Sequence, residues 1–433
     1  MTGGTERKMV NLGLGRRCIN PTWPVAISGY GPDRISAGIH DDIFVKCAYL
    51  ASGDTHCLLI SADLLGFSEA MVDRLRAALQ ERHGLQPSQV LIAATHTHSG
   101  PSSLAGHWEV SWPVDERYLT WLEEQTLAAA ADAVGSACPC RLRVTSDTCD
   151  VVINRRLKVA GEWQLLPNEA GLRDEEVLVL IAEDSSGTPL AVLFQYSCHP
   201  TVVCTELISG DFVGRAQSYV EERLPGCTAL FFQGFEGDVR PRMVTADGAA
   251  WRTATWDDVE ELGAKLGEAV LRAAAAPGRR ITGAPITAAE LTFDLPFSEV
   301  PTEAELQAAA QSDDPGERAW GNLLLSEGLP PRPGAECRLQ RISIGDELHF
   351  MAMNGEVCLG YALKLKEWAL ARGETIIPVG IANGLIQYIP TREIRLQGGY
   401  GSSIPFKSWG LAGPFAPEVE DIITDRLADL LGQ

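Results

Sequence analysis

No stretch of this 433-residue chain reaches the roughly 18 consecutive apolar residues that a membrane-spanning helix needs. The opening segment MTGGTERKMVNLGLGRRC carries basic residues with no apolar core behind them, which argues against a secretory leader. Like charges are not gathered into a tail, and there is no internal repeat, low-complexity tract or clear linker. Cysteine is present eleven times, yet the one close pair is Cys138 and Cys140. Without a second such pair the spacing of a zinc knuckle is missing. Most of the other cysteines, such as Cys47, Cys57, Cys198 and Cys227, fall in apolar stretches that read as strands. They are expected to be reduced, buried thiols in a reducing, cytoplasmic setting.

What is present fits an ordinary globular protein: 45% apolar and 21% charged residues, in a chain long enough to bury a large core without staples. The formal net charge is −21, spread along the sequence. Such a surface keeps a protein dispersed and repels nucleic acid and anionic membranes, so a small molecule is the expected partner. A homo-oligomer is the default expectation.

Apolar runs of strand length alternate with helical periodicity. Strands are expected at His56–Ala62, Val90–Ala94, Glu176–Ala182, Leu190–Ser197, Thr228–Gln233, Ile286–Phe293, His349–Met353 and Ile377–Ala382. Helices are expected at Ser68–Arg82, Glu116–Val134, Val213–Leu224, Trp256–Ala275, Gly360–Ala371 and Ala416–Leu431. Ser68 is placed to cap the first of these, with Val72 and Leu75 facing a core. Several strands are apolar enough to be buried on both faces, whereas Gly278–Phe293 alternates and suggests antiparallel pairing. Ser298–Glu336, polar and rich in Pro, Glu and Gly, reads as a helical excursion or a lid. The expected class is α/β, as one large domain over residues 1–433.

The strongest local signal is Thr95-His96-Thr97-His98-Ser99-Gly100-Pro101, directly after the strand Val90–Ala94. Two histidines two apart on extended backbone point to one side, at a strand end where α/β proteins place their sites. Neutral imidazole is a common metal ligand. His199, in Cys198-His199-Pro200, again ends an apolar strand; alone it fits a hydrogen-bonded structural residue as well as a ligand. Glu356, in Asn354-Gly355-Glu356, lies between a strand and a helix and could ligate a metal or, preferably, cap the helix. Tyr388 and Tyr400, twelve residues apart beside turns, read most simply as packing. Asn154-Arg155-Arg156 is expected just after a strand Asp150–Ile153, and Asp238 fits an Asx turn.

Taken in order, these pieces resemble the catalytic domain of the neutral ceramidase family. The matching elements are Gly38-Ile39-His40-Asp41, THTHSGP at 95–101, Asn154-Arg155, Cys198-His199-Pro200, and Gly210-Asp211-Phe212. Gly237-Asp238-Val239, Asn354-Gly355-Glu356, Tyr388 within IQYIPT and Tyr400 within GGY complete the series. The resemblance implies a layered α/β/β/α sandwich with mixed sheets, and a Zn2+ ion held by His96, His199, Glu356 and Tyr388. It also implies hydrolysis of an amide C–N bond by zinc-activated water, with His98, Arg155 and Tyr400 holding the amide and stabilising its oxyanion. His98 alternatively protonates the departing amine. His40 and Asp211, from the matching motifs, are placed on the substrate side.

The chain departs from the family where Gly-Asp-x-Ser-Pro is expected: Arg240 stands in place of the serine. A planar cation there either reads an anionic group on a small soluble substrate or pairs with Asp238 or Glu236. No counterpart of the family's C-terminal β-sandwich domain is expected, which would point away from a two-chain lipid. A true ceramidase, a zinc esterase or lactonase, and a non-catalytic binding protein are the alternatives.

Overall fold

The alternation of strand runs and helical periods resolves, in the computed structural model, into two sheets packed face to face with helices on their outer sides. The structure describes residues 10–31, 33–106, 111–281, 285–404 and 406–432; the polar residues 1–9 of the opening segment lie outside them. The larger sheet runs, edge to edge, Thr228–Gln233, Pro189–Tyr196, Glu176–Glu183, Cys138–Thr148, Val10–Cys18, Phe44–Ser52, Thr55–Ala62 and Val90–Ala94; Arg279–Ile281 also pairs with Cys138–Thr148. The smaller sheet runs Ile286–Pro296, Gly334–Ile344, Leu348–Met353 and Thr375–Val379. The expected class and layering are those found.

Between the sheets lies an apolar layer in which Leu59, Leu91, Leu193 and Phe232 of the larger sheet meet Ile342, Phe350 and Val379 of the smaller one. Each such side chain, fully buried, contributes about 1.5–3 kcal/mol. The outer face of Phe44–Ser52 and its neighbours is covered by the helices Glu69–His83 and Glu116–Gly135. The second of these approaches so closely that a Cβ at Gly13 or Gly15 would fall 1.8 Å from a helix carbonyl oxygen. The Gly-Leu-Gly of the first strand is therefore a docking requirement. Helices Asp211–Arg223, Trp256–Ala275, Leu359–Arg372 and Val419–Leu431 pack around the remaining large core.

Most expected elements lie where the apolar pattern puts them, within a few residues. Three differ. The strand expected at Asp150–Ile153 runs instead over Val152–Val159 and contains Asn154, Arg155 and Arg156. Polar residues persist inside it because their side chains reach carbonyls outside the sheet: Asn154 Nδ2 donates to Leu172 O (2.9 Å), Arg155 Nη2 to Gly237 O (2.8 Å) and Arg156 Nη2 to Gly398 O (2.7 Å). Ser298–Glu336 is a helical excursion, with Glu303–Ala309 and Pro315–Glu327 closing on a small core of Leu306, Trp320 and Leu324. Ser68 occupies the cap position of its helix, but its hydroxyl makes no capping bond. All eleven cysteines are free thiols; Cys18, Cys138 and Cys204 are exposed. Among the described residues no helix is long and apolar enough to cross a membrane.

A candidate metal centre at four strand ends

Three parallel strand pairs end at one place. Val90–Ala94 pairs with Thr55–Ala62, Pro189–Tyr196 with Thr228–Gln233, and Leu348–Met353 with Thr375–Val379. Beyond the carboxyl ends of these strands come His96, His199, Glu236 and Glu356, and one ligand atom from each lies within 4.8 Å of the others. The crossing segment Gly380–Asn383 ties the ends together: Gly380 N donates to Gln233 O (2.9 Å), Ile381 N to Gly355 O (3.2 Å) and Asn383 N to Ile92 O (2.7 Å).

The imidazoles are oriented from behind. His96 Nδ1 lies 2.8 Å from Leu65 O, and His199 Nδ1 lies 2.9 Å from Glu236 O and 3.0 Å from Val239 O. A carbonyl only accepts, so Nδ1 carries the proton in both rings and Nε2 turns a lone pair toward the cluster. His199 Nε2 is 3.0 Å, and His96 Nε2 3.6 Å, from Glu356 Oε2. The expectation that His96 and His98 project together from extended backbone is corrected in its route. His96 has φ +69°, a left-handed conformation that costs a non-glycine residue of order 1 kcal/mol. Its amide is pinned there by Leu64 O (2.9 Å). The His98 ring then stands 5.0 Å from that of His96, edge-on, and 5.9 Å from that of His199.

Glu356 does not cap the helix Leu359–Arg372, as the residues alone favour; Asp238 does, accepting from Leu359 N at 2.7 Å. Asp238 is thereby a bridge between loops and not a local Asx turn. The Glu356 carboxylate is free to face the imidazoles. Tyr388 pairs with Glu356 through a short parallel bridge. Its hydroxyl is 3.5 Å from that of Tyr400, and the Arg155 guanidinium sits over both rings, 5.1 and 5.5 Å from their centroids. Burial, then Arg155, pushes His199 down to about 3, so it is neutral at physiological pH. Burial, then His96 and His199, likewise holds His98 well below its usual value. A cavity of about 360 Å3 opens onto this cluster, lined by His98, Glu356, Tyr388, Tyr400, Trp112 and Trp409.

A model of the N-terminal part of neutral/alkaline non-lysosomal ceramidases matches residues 11–255, more than half of the chain. The chain belongs to this family. Among curated ceramidases, neutral ceramidase A of Dictyostelium discoideum is 28% identical over 237 residues, 49% of this chain and 33% of that protein. Neutral ceramidase B of the same organism is 26% identical over 241 residues, 50% of this chain and 33% of its own. The matched stretch thus spans about a third of either relative. The crystal structure of neutral ceramidase from Pseudomonas aeruginosa superimposes with a TM-score of 0.78 at 19% identity, over 98% of this chain and 74% of that one. A ceramidase complexed with C2 gives the same score and identity over 98% and 75%. At that identity the likeness establishes the fold.

Within this ceramidase-family fold, seven of the ten residues singled out above meet at the cluster: His96, His98, His199, Glu356, Tyr388, Arg155 and Tyr400. Arg240 lies beside it on the strand Val239–Pro241, facing Ile153 in the neighbouring strand. Its Nη2 donates to Thr201 O (3.3 Å), its guanidinium covers the Trp251 ring at 4.5 Å, and its Nε is buried without a hydrogen bond. Asp238 is engaged with Leu359 N and with Asn154 Nδ2 (3.3 Å), not with Arg240.

His40 and Asp211 do not line the cavity that opens onto the cluster. His40 is exposed, stacked on Trp256 at 3.7 Å, with Nδ1 2.8 Å from Asp41 Oδ2. Asp41 in turn accepts from Gly210 N (2.9 Å), so that motif braces a loop. The Asp211 carboxylate is filled by backbone amides of Val202 (3.1 Å) and Phe212 (2.6 Å) and shapes the turn after His199. Glu236 is the residue the sequence reading missed, except as a partner for Arg240. Its signal was position: like His199 and Glu356, it comes three residues after the end of a buried strand.

Proposed function

We propose that the chain hydrolyses the amide bond of a small substrate at a Zn2+ centre held by His96, His199, Glu356 and Tyr388. The observation that carries this reading is the convergence of two Nε2 lone pairs and a buried carboxylate, with His96 Nε2 sealed from solvent and without a hydrogen bond of its own. Unanswered acceptors of this kind are costly unless a cation joins them, so the donor set fits the ion. Two nitrogens and carboxylate or phenol oxygens are within zinc's usual choice. When bound, the ion supplies Lewis acidity, polarising the scissile carbonyl and making water a nucleophile at neutral pH.

The chain's own groups do the rest. Arg155, buried and held by Gly237 O (2.8 Å), remains a cation; with the Tyr400 hydroxyl it stabilises charge growing on the carbonyl oxygen. His98, neutral in its buried place, joins them in holding the amide and supplies a proton to the departing nitrogen. The C–N bond then breaks to a carboxylic acid and an amine. The aromatic walls exclude water from this exchange. Arg240, without a carboxylate partner at Asp238, is the group that reads an anionic part of the substrate. The proposed setting is reducing and cytoplasmic, which eleven free thiols suit.

The test is metal analysis together with hydrolysis of matched amides and esters, from short N-acyl amino acids to a short-chain ceramide. One zinc per chain and amide turnover lost on chelation support the reading. Ester-only turnover selects the esterase alternative, and ceramide as the preferred substrate selects a true ceramidase. A loaded protein silent across the panel is a binding protein.

A further inference from the structure

Glu236 is fully buried, yet neither carboxylate oxygen has a hydrogen bond of acceptable geometry. Its polar neighbour Gln233 donates one amide N–H to Cys198 O (3.1 Å), which leaves only the second to turn toward the carboxylate. An acid so placed is costly unless something positive lies against it. The loop is built to hold it there. Phe235 anchors it in the core, and Gly237 N donates to Val357 O (2.8 Å), fastening it to the loop that carries Glu356. Gly380 faces the carboxylate, and a Cβ there would come within 3.1 Å of Glu236 Oε2. The carbonyl of this residue also orients His199, so backbone and side chain serve one centre.

We infer that Glu236 is a fifth protein ligand, giving the centre two carboxylates where the four-residue set has one. The inference rests on the metal-centre reading above. Its carboxylate oxygen shares the 4.8 Å cluster with His96, His199 and Glu356. With the Tyr388 phenol the donors become two nitrogens and three oxygens. That set is harder than a two-imidazole, one-carboxylate site and shifts preference from zinc toward Mn2+ or Fe2+. It also places an extra negative charge beside the ion, which tempers its Lewis acidity.

The experiment compares the full chain with Glu236→Gln and Glu236→Leu, using Zn2+, Mn2+ and Co2+ alone as probes. Changes beyond the first coordination sphere already cost metal sites roughly 10–100-fold in affinity, so loss of a ligand is expected to cost about tenfold or more in chelator competition. The cost should be larger for Mn2+ than for Zn2+. In Co2+-loaded protein the visible d–d bands should intensify as coordination falls from five to four. The metal-free variants should melt at or above the parent's temperature, since a buried, unpaired carboxylate has been removed. Equal affinities and identical Co2+ spectra in parent and variants overturn the inference while leaving the metal centre standing; so does a lowered metal-free melting temperature with unchanged affinity. A parent chain that binds no ion overturns both.

Discussion

Two cavities of similar size share the loop Ser408–Ala412. One, about 360 Å3, is lined by Ser408 and Trp409 and opens onto His98 and Glu356; the other, about 400 Å3, is lined by Gly410–Ala412 with Glu69, Glu336 and Arg332. Volume therefore does not tell them apart. In the second, Glu336 is answered locally by Arg338 (3.0 Å), which also bonds Asp73 (2.6 Å), and one Glu69 oxygen is left open. In the first, groups released from four strand ends are buried facing one another with acceptors left open. Open, convergent polar groups require a ligand to complete them, and that requirement marks a site better than space does.

The sharpest way to break this contrast is to remove a ligand. His199→Ala or Glu356→Ala should lose the ion, with affinity down by about 100-fold or more, and turnover of the best amide should vanish with it. Glu336→Gln and Arg332→Ala, at the other cavity, should leave metal content and kcat unchanged; a loss there would erase the distinction. The next effect is smaller. Tyr400→Phe should keep the ion and KM but lower kcat by about 100-fold, the usual cost of one oxyanion donor. A Tyr400→Phe protein with full kcat would place Tyr400 among the packing residues.

How much of this was legible in sequence follows the same division. The strands Val90–Ala94 and Thr228–Gln233 announce themselves because burial on both faces demands continuous apolar runs. Val10–Cys18 and Phe44–Ser52 were passed over, since Gly13, Gly15, Lys46 and Arg16 interrupt the pattern for reasons of helix docking and ion pairing. In the site, His96 and His199 stand out chemically, whereas Glu356 read alone looks like a cap and Tyr388 like packing. Only the fold shows that Asp238 takes the cap and frees Glu356. Glu236 stayed hidden because carboxylates are common in this chain and its burial depends on Gly380, far along the sequence.

Arg240, on the strand Val239–Pro241 beside the cluster, gives the next test. Arg240→Ser should raise KM about tenfold for an amide bearing a carboxylate, the scale of one charge-assisted hydrogen bond, and leave a neutral isostere unaffected. Equal changes for both substrates would assign Arg240 to holding Thr201 and Trp251 in place.

The smallest effect belongs to the second cavity, where Glu69 has one carboxylate oxygen buried and unbonded. Burial pushes its carboxyl from the usual carboxylate range up to about 7. The folded chain then holds a proton that the unfolded chain releases near pH 4.5, so this group favours folding fully at low pH. That contribution is lost progressively as pH rises from about 4.5 to about 7 and does not return above it. Glu69→Gln keeps the size and removes the titration. The difference in melting temperature, variant minus parent, should grow across that interval and then level off, with kcat unaltered throughout. A flat difference would mean that Glu69 is ionised in the fold and that its cavity admits water freely. A fall in kcat with Glu69→Gln would couple the two cavities through the loop they share.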